Sequence, residues 1–374
     1  MLDQDQTATL QERIQLAHSN NEPVCIVGGN SKPFLGQCNA THAQLPASSL
    51  INTSEHSGVV GYEPTELVIT VRSGTSMQAL EALLSEHNQM LPFEPPVFNN
   101  GTIGGVLACG LSGPARAFSG SARDYVLGMH VINGQAQVLK FGGEVMKNVA
   151  GYDAARLHVG AYGTLGLLLQ TSMKVLPKPE AELTVQHELE TPFDTTQLQR
   201  LFRRPLPITA ASIDQHIQTI RLSGSESAVS AAAKMIGGET VQQGQDYWRS
   251  IRELQHTFFQ DDRPLWRISV PDFAEPLKLD GDSFYDWGGA QRFVKTDAPA
   301  QSVFSAAANA NGHASCYSAD RLASDVPAFQ PITGSMAKLQ SRVRDSFDAQ
   351  RLFNRGRFHP ELDKTTAAHP VRQS

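Results

Sequence analysis

The chain has 374 residues, and at about 150 residues per domain that leaves room for more than one. Hydrophobic residues make up 40% and charged residues 18%, enough apolar material for a sizeable core and against a coiled coil or a disulfide-stapled peptide. Lys plus Arg number 31 against 37 Asp plus Glu, a net charge of -6, which excludes the basic face of a general nucleic-acid binder.

The opening MLDQDQTATL carries acids where a secretory signal would carry Lys or Arg, and no apolar run approaches the ~20 residues of a membrane span. The expectation is a soluble, cytoplasmic chain. Residues 7–19 read as an amphipathic helix with Leu10, Ile14, Leu16 and Ala17 on one side. A short strand, Pro23 to Val27, runs directly into Gly28-Gly29-Asn30-Ser31-Lys32. A second strand, Leu67 to Val71, precedes a helix from Met77 to His87 that Thr75 or Ser76 would cap. Leu91 to Asn100 is Pro-rich and extended, and Gly101 to Gly120 reads as glycine-dense loop. Strands at Tyr125–Ile132 and Gln137–Phe141 are joined through Asn133-Gly134, a hairpin turn. Gly160 to Val175 adds a loop and a strand.

At Leu176-Pro177-Lys178-Pro179 the composition changes. Beyond it strands alternate with helices: strands near 182–189, 208–213, 217–222, 265–270, 291–294 and 314–317, and helices near 195–202, 227–236 and 247–257. That alternation predicts an α+β unit on an antiparallel sheet. The stretch 332–347 is helical, and an Arg-rich loop follows to Pro360.

The four cysteines, Cys25, Cys38, Cys109 and Cys316, include no CxxC pair, so neither a zinc site nor an iron–sulfur cluster finds its ligands here. HExxH and GxxxxGK[ST] are also absent. Glycine is more informative: 14 of the 30 fall between Gly101 and Gly166. Ordered glycine costs entropy, so the clustering needs a cause such as sharp turns or a close ligand.

Three segments stand out. In Gly28-Gly29-Asn30-Ser31-Lys32, successive backbone N–H groups could cradle the anionic oxygens of a pyrophosphate, with Ser31 and Lys32 adding a hydroxyl and a charge; an ordinary strand-to-loop turn reads equally well. Gly101-Thr102-Ile103-Gly104-Gly105, continuing through Gly110 to Ser112-Gly113, would bring main chain and exposed amides against a large flat ligand. The third is Gly151-Tyr152-Asp153 followed by Gly160-Ala161-Tyr162-Gly163-Thr164-Leu165-Gly166. Its glycine spacing is not a Rossmann fingerprint, because strand residues follow where a helix is required.

In order and spacing these segments resemble the FAD-binding domain of the vanillyl-alcohol oxidase/PCMH superfamily, over residues 10–178. Phe353-Asn354-Arg355-Gly356-Arg357 looks like that family's terminal NPGR loop, with Arg355 where the family has Pro. Gly120 to Gly128, Lys147 to Asp153 and Asp286-Trp287-Gly288-Gly289-Ala290-Gln291-Arg292 are similar to the FAD-binding subunits of bacterial glycolate oxidases.

The resemblance implies an α+β chain in three parts. Residues 1–178 form a PCMH-type two-subdomain FAD-binding fold, 179–340 a smaller antiparallel-sheet domain, and 341–374 a segment returning to the flavin domain. The implied FAD site comprises Gly28, Gly29, Asn30, Ser31, Lys32, Gly101, Thr102, Gly104, Gly105, Gly110, Ser112, Gly113, Gly160, Gly163, Thr164, Gly166, Asn354 and Arg357. Covalent attachment in the superfamily often uses a His just after the paired glycines. Asn30 stands there, so the FAD is expected to be non-covalent.

The implied partners are a larger FAD-linked glycolate oxidase subunit and an iron–sulfur subunit, with peripheral contact to the inner membrane only through them. The implied reaction of the complex is glycolate to glyoxylate. Catalytic residues are not identified. Oxidising a 2-hydroxy acid needs a base for the hydroxyl proton and a cation for the carboxylate. His313 stands alone, His56, His87, His130 and His158 are scattered, and Arg123, Arg292 and Lys295 are only candidate carboxylate ligands. Three roles stay open: an auxiliary or electron-relay flavin subunit, a stand-alone oxidoreductase on another hydroxy acid or alcohol, and a non-redox assembly subunit.

Overall fold

A computed structural model describes residues 3–37, 49–143 and 153–363. Two readings fall outside these: Cys38, and the Lys147 to Tyr152 stretch with Gly151. The described chain is α+β. No helix among the described residues is long and apolar enough to cross a membrane.

The first half holds a helix, Thr7–Asn20, and strands β1 (Cys25–Val27), β2 (Leu50–Asn52), β3 (Val59–Glu63) and β4 (Val68–Arg72). After them come the helix Met77–Glu86, β5 (Gln89–Met90), the helix Ile103–Cys109, β6 (Val126–Ile132), β7 (Val138–Gly142), β8 (Leu167–Lys174) and β9 (Leu176–Pro177). β1 and β2 pair in parallel as a small separate sheet. The order β3-β4-β8-β6-β7 forms an antiparallel five-stranded sheet. Ser76 caps the Met77–Glu86 helix by accepting the Ala79 N–H at 3.1 Å, and the helix lays Met77, Leu80 and Leu84 on the sheet's core. A second core joins Leu10 and Ile14 of the opening helix to Val24, Ile51, Leu167 and Phe353. That core ties the β1–β2 unit to the larger sheet and to the C-terminal loop.

The glycine-dense stretch was expected to be loop throughout, yet Ile103–Cys109 is helical. Thr102 supplies the cap, its Oγ1 accepting the Gly105 N–H at 3.2 Å. Ile103, Val106 and Leu107 are buried in the first core. Burial on one face outweighs the poor helix propensity of two interior glycines.

The second half builds one eight-stranded antiparallel sheet from β10 (Ala181–Glu188), β11 (Ile208–Asp214), β12 (Ile217–Gly224), β13 (Glu239–Thr240), β14 (Leu265–Ser269), β15 (Asp282–Asp286), β16 (Gln291–Lys295) and β17 (His313–Cys316). Its order is β13-β10-β12-β11-β15-β16-β14-β17. One face packs on the helices Glu226–Ile236 and Ala300–Asn309 through two apolar clusters. The other carries Phe284 and Phe293 against Trp248 and Ile251 of the helix Gly244–Arg252. β15 and the Ala300–Asn309 helix have no counterpart in the sequence-based expectation. After the last helix, Gly334–Phe347, the chain turns back, and Val24 bridges Phe353 in parallel.

Candidate functional site

β1 sets the site. Its ladder with β2 ends at Val27, and the next five residues leave the sheet. Among the described residues no acceptor takes the backbone N–H of Gly28, Gly29, Asn30, Ser31 or Lys32. Asn30 sits in the left-handed region at φ 48, which lets a short run of amides converge as an anion-binding concavity. Gly29 is required by contact: a Cβ there would run into the Asn100 carbonyl. The first segment is therefore pressed against the second.

Lys32 is only 8% exposed. Its Nζ donates to Ser31 Oγ at 2.9 Å, and burial pulls the ammonium below the usual lysine pKa. Arg357 Nη2 donates to the Lys32 carbonyl at 3.0 Å, fixing the end of the turn.

The second segment behaves differently from its expectation. Its amides are not held out to a ligand: Gly101 N–H goes to Phe98 O, Ile103 N–H to Thr75 O and Gly104 N–H to Ser73 O at 2.8–3.0 Å. From this segment Thr102, Gly105, Ala108 and Cys109 reach the cleft wall. Gly110 ends the helix, Ser112 Oγ accepts the Ala122 N–H at 3.1 Å, and Gly113 donates to Phe93 O. These residues hold the scaffold behind the cleft.

The third segment docks on the same helix, with Gly160 N–H on Leu107 O at 2.9 Å and Tyr162 N–H on Ala108 O at 2.7 Å. Thr164 Oγ1 donates back to Ala161 O at 2.7 Å, and Gly166 packs on the Ile132 carbonyl. Gly163 is forced by close approach, since a Cβ would lie 2.6 Å from Asn354 Nδ2. Asn354 is the clasp. Its Oδ1 accepts the Ile26 N–H at 2.7 Å and its Nδ2 donates to the Tyr162 carbonyl at 2.7 Å.

Together Ile26 to Lys32, Thr102, Gly105, Ala108, Cys109, Tyr162, Asn354 and Arg357 line one cleft. Gly101, Gly104, Gly110, Ser112, Gly113, Gly160, Gly163, Thr164 and Gly166 stand outside that lining. Cys109 and Tyr162 were not expected in it. Tyr162 stacks on Phe358 with ring centroids 5.2 Å apart and is edge-on to Phe329. Burial raises both the Cys109 thiol and the Tyr162 phenol, so both are neutral.

The residues fit a dinucleotide pyrophosphate: unpartnered amides, a buried ammonium and a neighbouring guanidinium converge where anionic oxygens need donors. The five amides are free to bind, whereas Lys32 Nζ is shared with Ser31 Oγ and one Arg357 nitrogen with the Lys32 carbonyl.

The scattered ionisable candidates have other occupations. Arg292 is fully buried, its guanidinium on the carbonyls of Gly289, Glu275 and Ala274 and its charge 4.5 Å from the Tyr285 ring centroid. Lys295 pairs with Asp261 at 3.0 Å. Among the described residues Arg123 reaches only the Val159 carbonyl, at 3.4 Å. His56 accepts the Gln6 N–H at Nδ1 and contacts Leu169 O at 2.9 Å through Nε2, a structural bridge. His158 is buried between Phe141 and Phe347, and His87 is edge-on to Tyr62. His313 is exposed on β17, and among the described residues nothing hydrogen-bonds its ring.

Residues 4–142 match a family model described as an FAD binding domain. The glycolate oxidase subunit GlcE of Escherichia coli (strain K12) is 42% identical over 359 residues, 96% of this chain and 99% of that one. The glycolate oxidase subunit GlcD of Bacillus subtilis (strain 168) is 32% identical over 127 residues, 34% of this chain and 27% of its own. A D-lactate dehydrogenase of Anaerostipes hadrus is 25% identical over 172 residues, 46% of this chain and 35% of its own. A solved alkyldihydroxyacetonephosphate synthase superposes with a TM-score of 0.64 at 14% identity, covering 93% of this chain and 74% of the other, a likeness of fold. The chain belongs to the glycolate oxidase GlcE subunit family, FAD-dependent oxidoreductases built on the PCMH-type FAD-binding fold.

Proposed function

We propose that this chain carries FAD non-covalently in the cleft of Gly28–Lys32 and serves a multi-subunit glycolate oxidase that converts glycolate to glyoxylate. The observation that carries the reading is the run of five unpartnered amides ending at the buried Lys32. The amides and Lys32 would hold the pyrophosphate, with Thr102 and Gly105 beside it. Tyr162, stacked on Phe358, would form the wall for the rest of the dinucleotide. Asn354 and Arg357 keep the walls in register. Gly101, Gly104, Gly110, Ser112, Gly113, Gly160, Gly163, Thr164 and Gly166 act through the scaffold they pack.

When bound, FAD supplies a two-electron acceptor for the hydride of a 2-hydroxy acid. Non-covalent binding is supported by Asn30 at the usual attachment position. No histidine described here is both in the cleft and oriented as a base, which favours an auxiliary or electron-relay role beside a larger flavin subunit. Electrons would leave through an iron–sulfur subunit, and any membrane contact would come through partners. Residues 1–178 would form the flavin unit, 179–340 the sheet domain, and 341–374 the returning segment.

The test is glycolate-dependent dye reduction by the complex assembled with this chain, without it, and with the Lys32→Met variant. Activity that requires this chain and falls with its flavin content supports the proposal. Full activity without the chain contradicts it.

A further inference from the structure

The Asp286–Arg292 stretch builds a turn that the flavin cleft does not use. Trp287 is 3% exposed, and its Nε1 donates to the Gly113 carbonyl at 3.0 Å. The indole thus crosses from the eight-stranded sheet to the flavin-binding segment. Two guanidinium groups gather on it, Arg116 at 4.3 Å and Arg267 at 4.9 Å from the ring centroid. Arg267 also lies 5.7 Å from the Tyr317 ring centroid. Its Nε donates to Gln291 Oε1, and Gln291 Nε2 donates to Asp286 at 3.2 Å.

Neighbouring arginines are engaged: Arg221 pairs with Glu94 at 2.7 Å, and Arg292 gives its donors to carbonyls. Among the described residues no carboxylate lies within ion-pair distance of Arg116 or Arg267, although the Asp124 charge acts on Arg116 from farther off. Two like charges held on one ring repel, and the ring faces offset only about 0.5–2 kcal/mol per cation. An anion within reach of both would offset that repulsion.

The sheet register shows what else is present. Ser269 lies opposite both Gln291 and His313, and Arg267 lies opposite Ser315. Directly opposed residues share a face, so Arg267, Ser269, Gln291, His313 and Ser315 make one polar surface. The alternate residues, Trp266, Ile268, Val294 and Ala314, fill the apolar core on the other side. The polar surface is on the flavin side: the Arg267 charge acts on the phenols of Tyr317 and Tyr162, and Tyr162 lines the cleft.

We propose that Arg116 and Arg267 form a subsite for the carboxylate of a small 2-hydroxy acid beside the flavin cleft. Trp287 and Gln291 are positioning residues, one as the ring that both guanidinium groups contact and the other as the tether of Arg267. The planar guanidinium forks match a carboxylate, and the hydroxyls of Ser269 and Ser315 offer partners for a second polar group. The ligand's identity rests on the glycolate-oxidising reading above. The subsite itself rests on the unpaired arginines.

The experiment is calorimetric titration of the full-length chain with oxalate, an unreactive two-carbon carboxylate, at constant ionic strength, with flavin content read by absorbance in the same samples. Saturable oxalate binding is expected, weakened about tenfold or more by Arg267→Met and by Arg116→Met, with flavin content unchanged. Arg116 is exposed, so its variant decides the matter even where Arg267→Met fails to fold. Wild-type protein that takes up no oxalate, or variants that bind it equally well, would overturn the subsite. Inorganic phosphate binding as tightly as oxalate would overturn its assignment to a carboxylate. A colourless chain that still binds oxalate through these arginines would sink the flavin reading and leave the subsite standing.

Discussion

Asn354 accepts the Ile26 N–H at 2.7 Å, a hydrogen bond that spans 328 residues and locks the C-terminal loop to the strand that leads into the Gly28–Lys32 cleft. The same side chain holds the Tyr162 carbonyl, so one amide joins two walls of the site. Its backbone is in the left-handed region at φ 42, which Asn tolerates better than Ala.

Asn354→Ala therefore leaves a buried N–H and a carbonyl unpaired and adds backbone strain. The expected cost is about 2–4 kcal/mol in urea unfolding, with reduced flavin retention. Wild-type stability and full flavin content in that variant would show that the clasp is dispensable.

Lys32→Met tests the anion cradle with little change in volume. Loss of a hydrogen bond from a charged donor is worth about 1.5–3 kcal/mol, or roughly 10- to 150-fold in the FAD dissociation constant, read by flavin fluorescence titration. Because burial lowers the Lys32 pKa, affinity in the wild type should also weaken at a less alkaline pH than an ordinary lysine would dictate. An unchanged dissociation constant in Lys32→Met would place the phosphates elsewhere.

Asp286 and His158 should tilt stability in opposite directions with pH. Burial raises the Asp286 carboxyl from 3.8 to about 7. The stabilisation of its neutral form is complete below the unfolded value and is lost as pH rises through about 7. Burial lowers His158 from 6.5 to about 4, so its contribution is present above 6.5 and is lost as pH falls through about 4. Urea midpoints between pH 4 and 7 should therefore fall less steeply, or rise, with pH in Asp286→Asn, and should rise less steeply in His158→Gln. Identical pH slopes in both variants and the wild type would contradict these assignments.

Much of the fold was legible where period and turn chemistry agreed. Asn133-Gly134 marked the β6–β7 hairpin, and the alternation of 208–222 marked β11 and β12. The helix Ile103–Cys109 was not legible, because its glycines read as loop and only the Thr102 cap and burial under Ser73 and Thr75 make it helical. That miss hid part of the site. Gly105, Ala108 and Cys109 sit three and four residues apart on one helical face, and that face is the cleft wall. β15 was hidden by its brevity and its acidic ends, Asp282 and Asp286. The glycine positions were informative for a reason only partly anticipated: Gly29 and Gly163 yield to other protein backbone and side chain, which builds the cleft from behind. The arginine pair on Trp287 joins residues 116, 267 and 287, and no spacing along the chain announces it.

The most direct measurement is the absorption spectrum of the chain purified alone, supplied with FAD and desalted, before and after acid precipitation, for wild type and Lys32→Met. A flavin spectrum in the wild type, with all the flavin released to the supernatant by acid and little retained by Lys32→Met, is the predicted result. A wild-type chain that stays colourless, or flavin that remains with the precipitate, would contradict a non-covalent FAD held by the Gly28–Lys32 cradle.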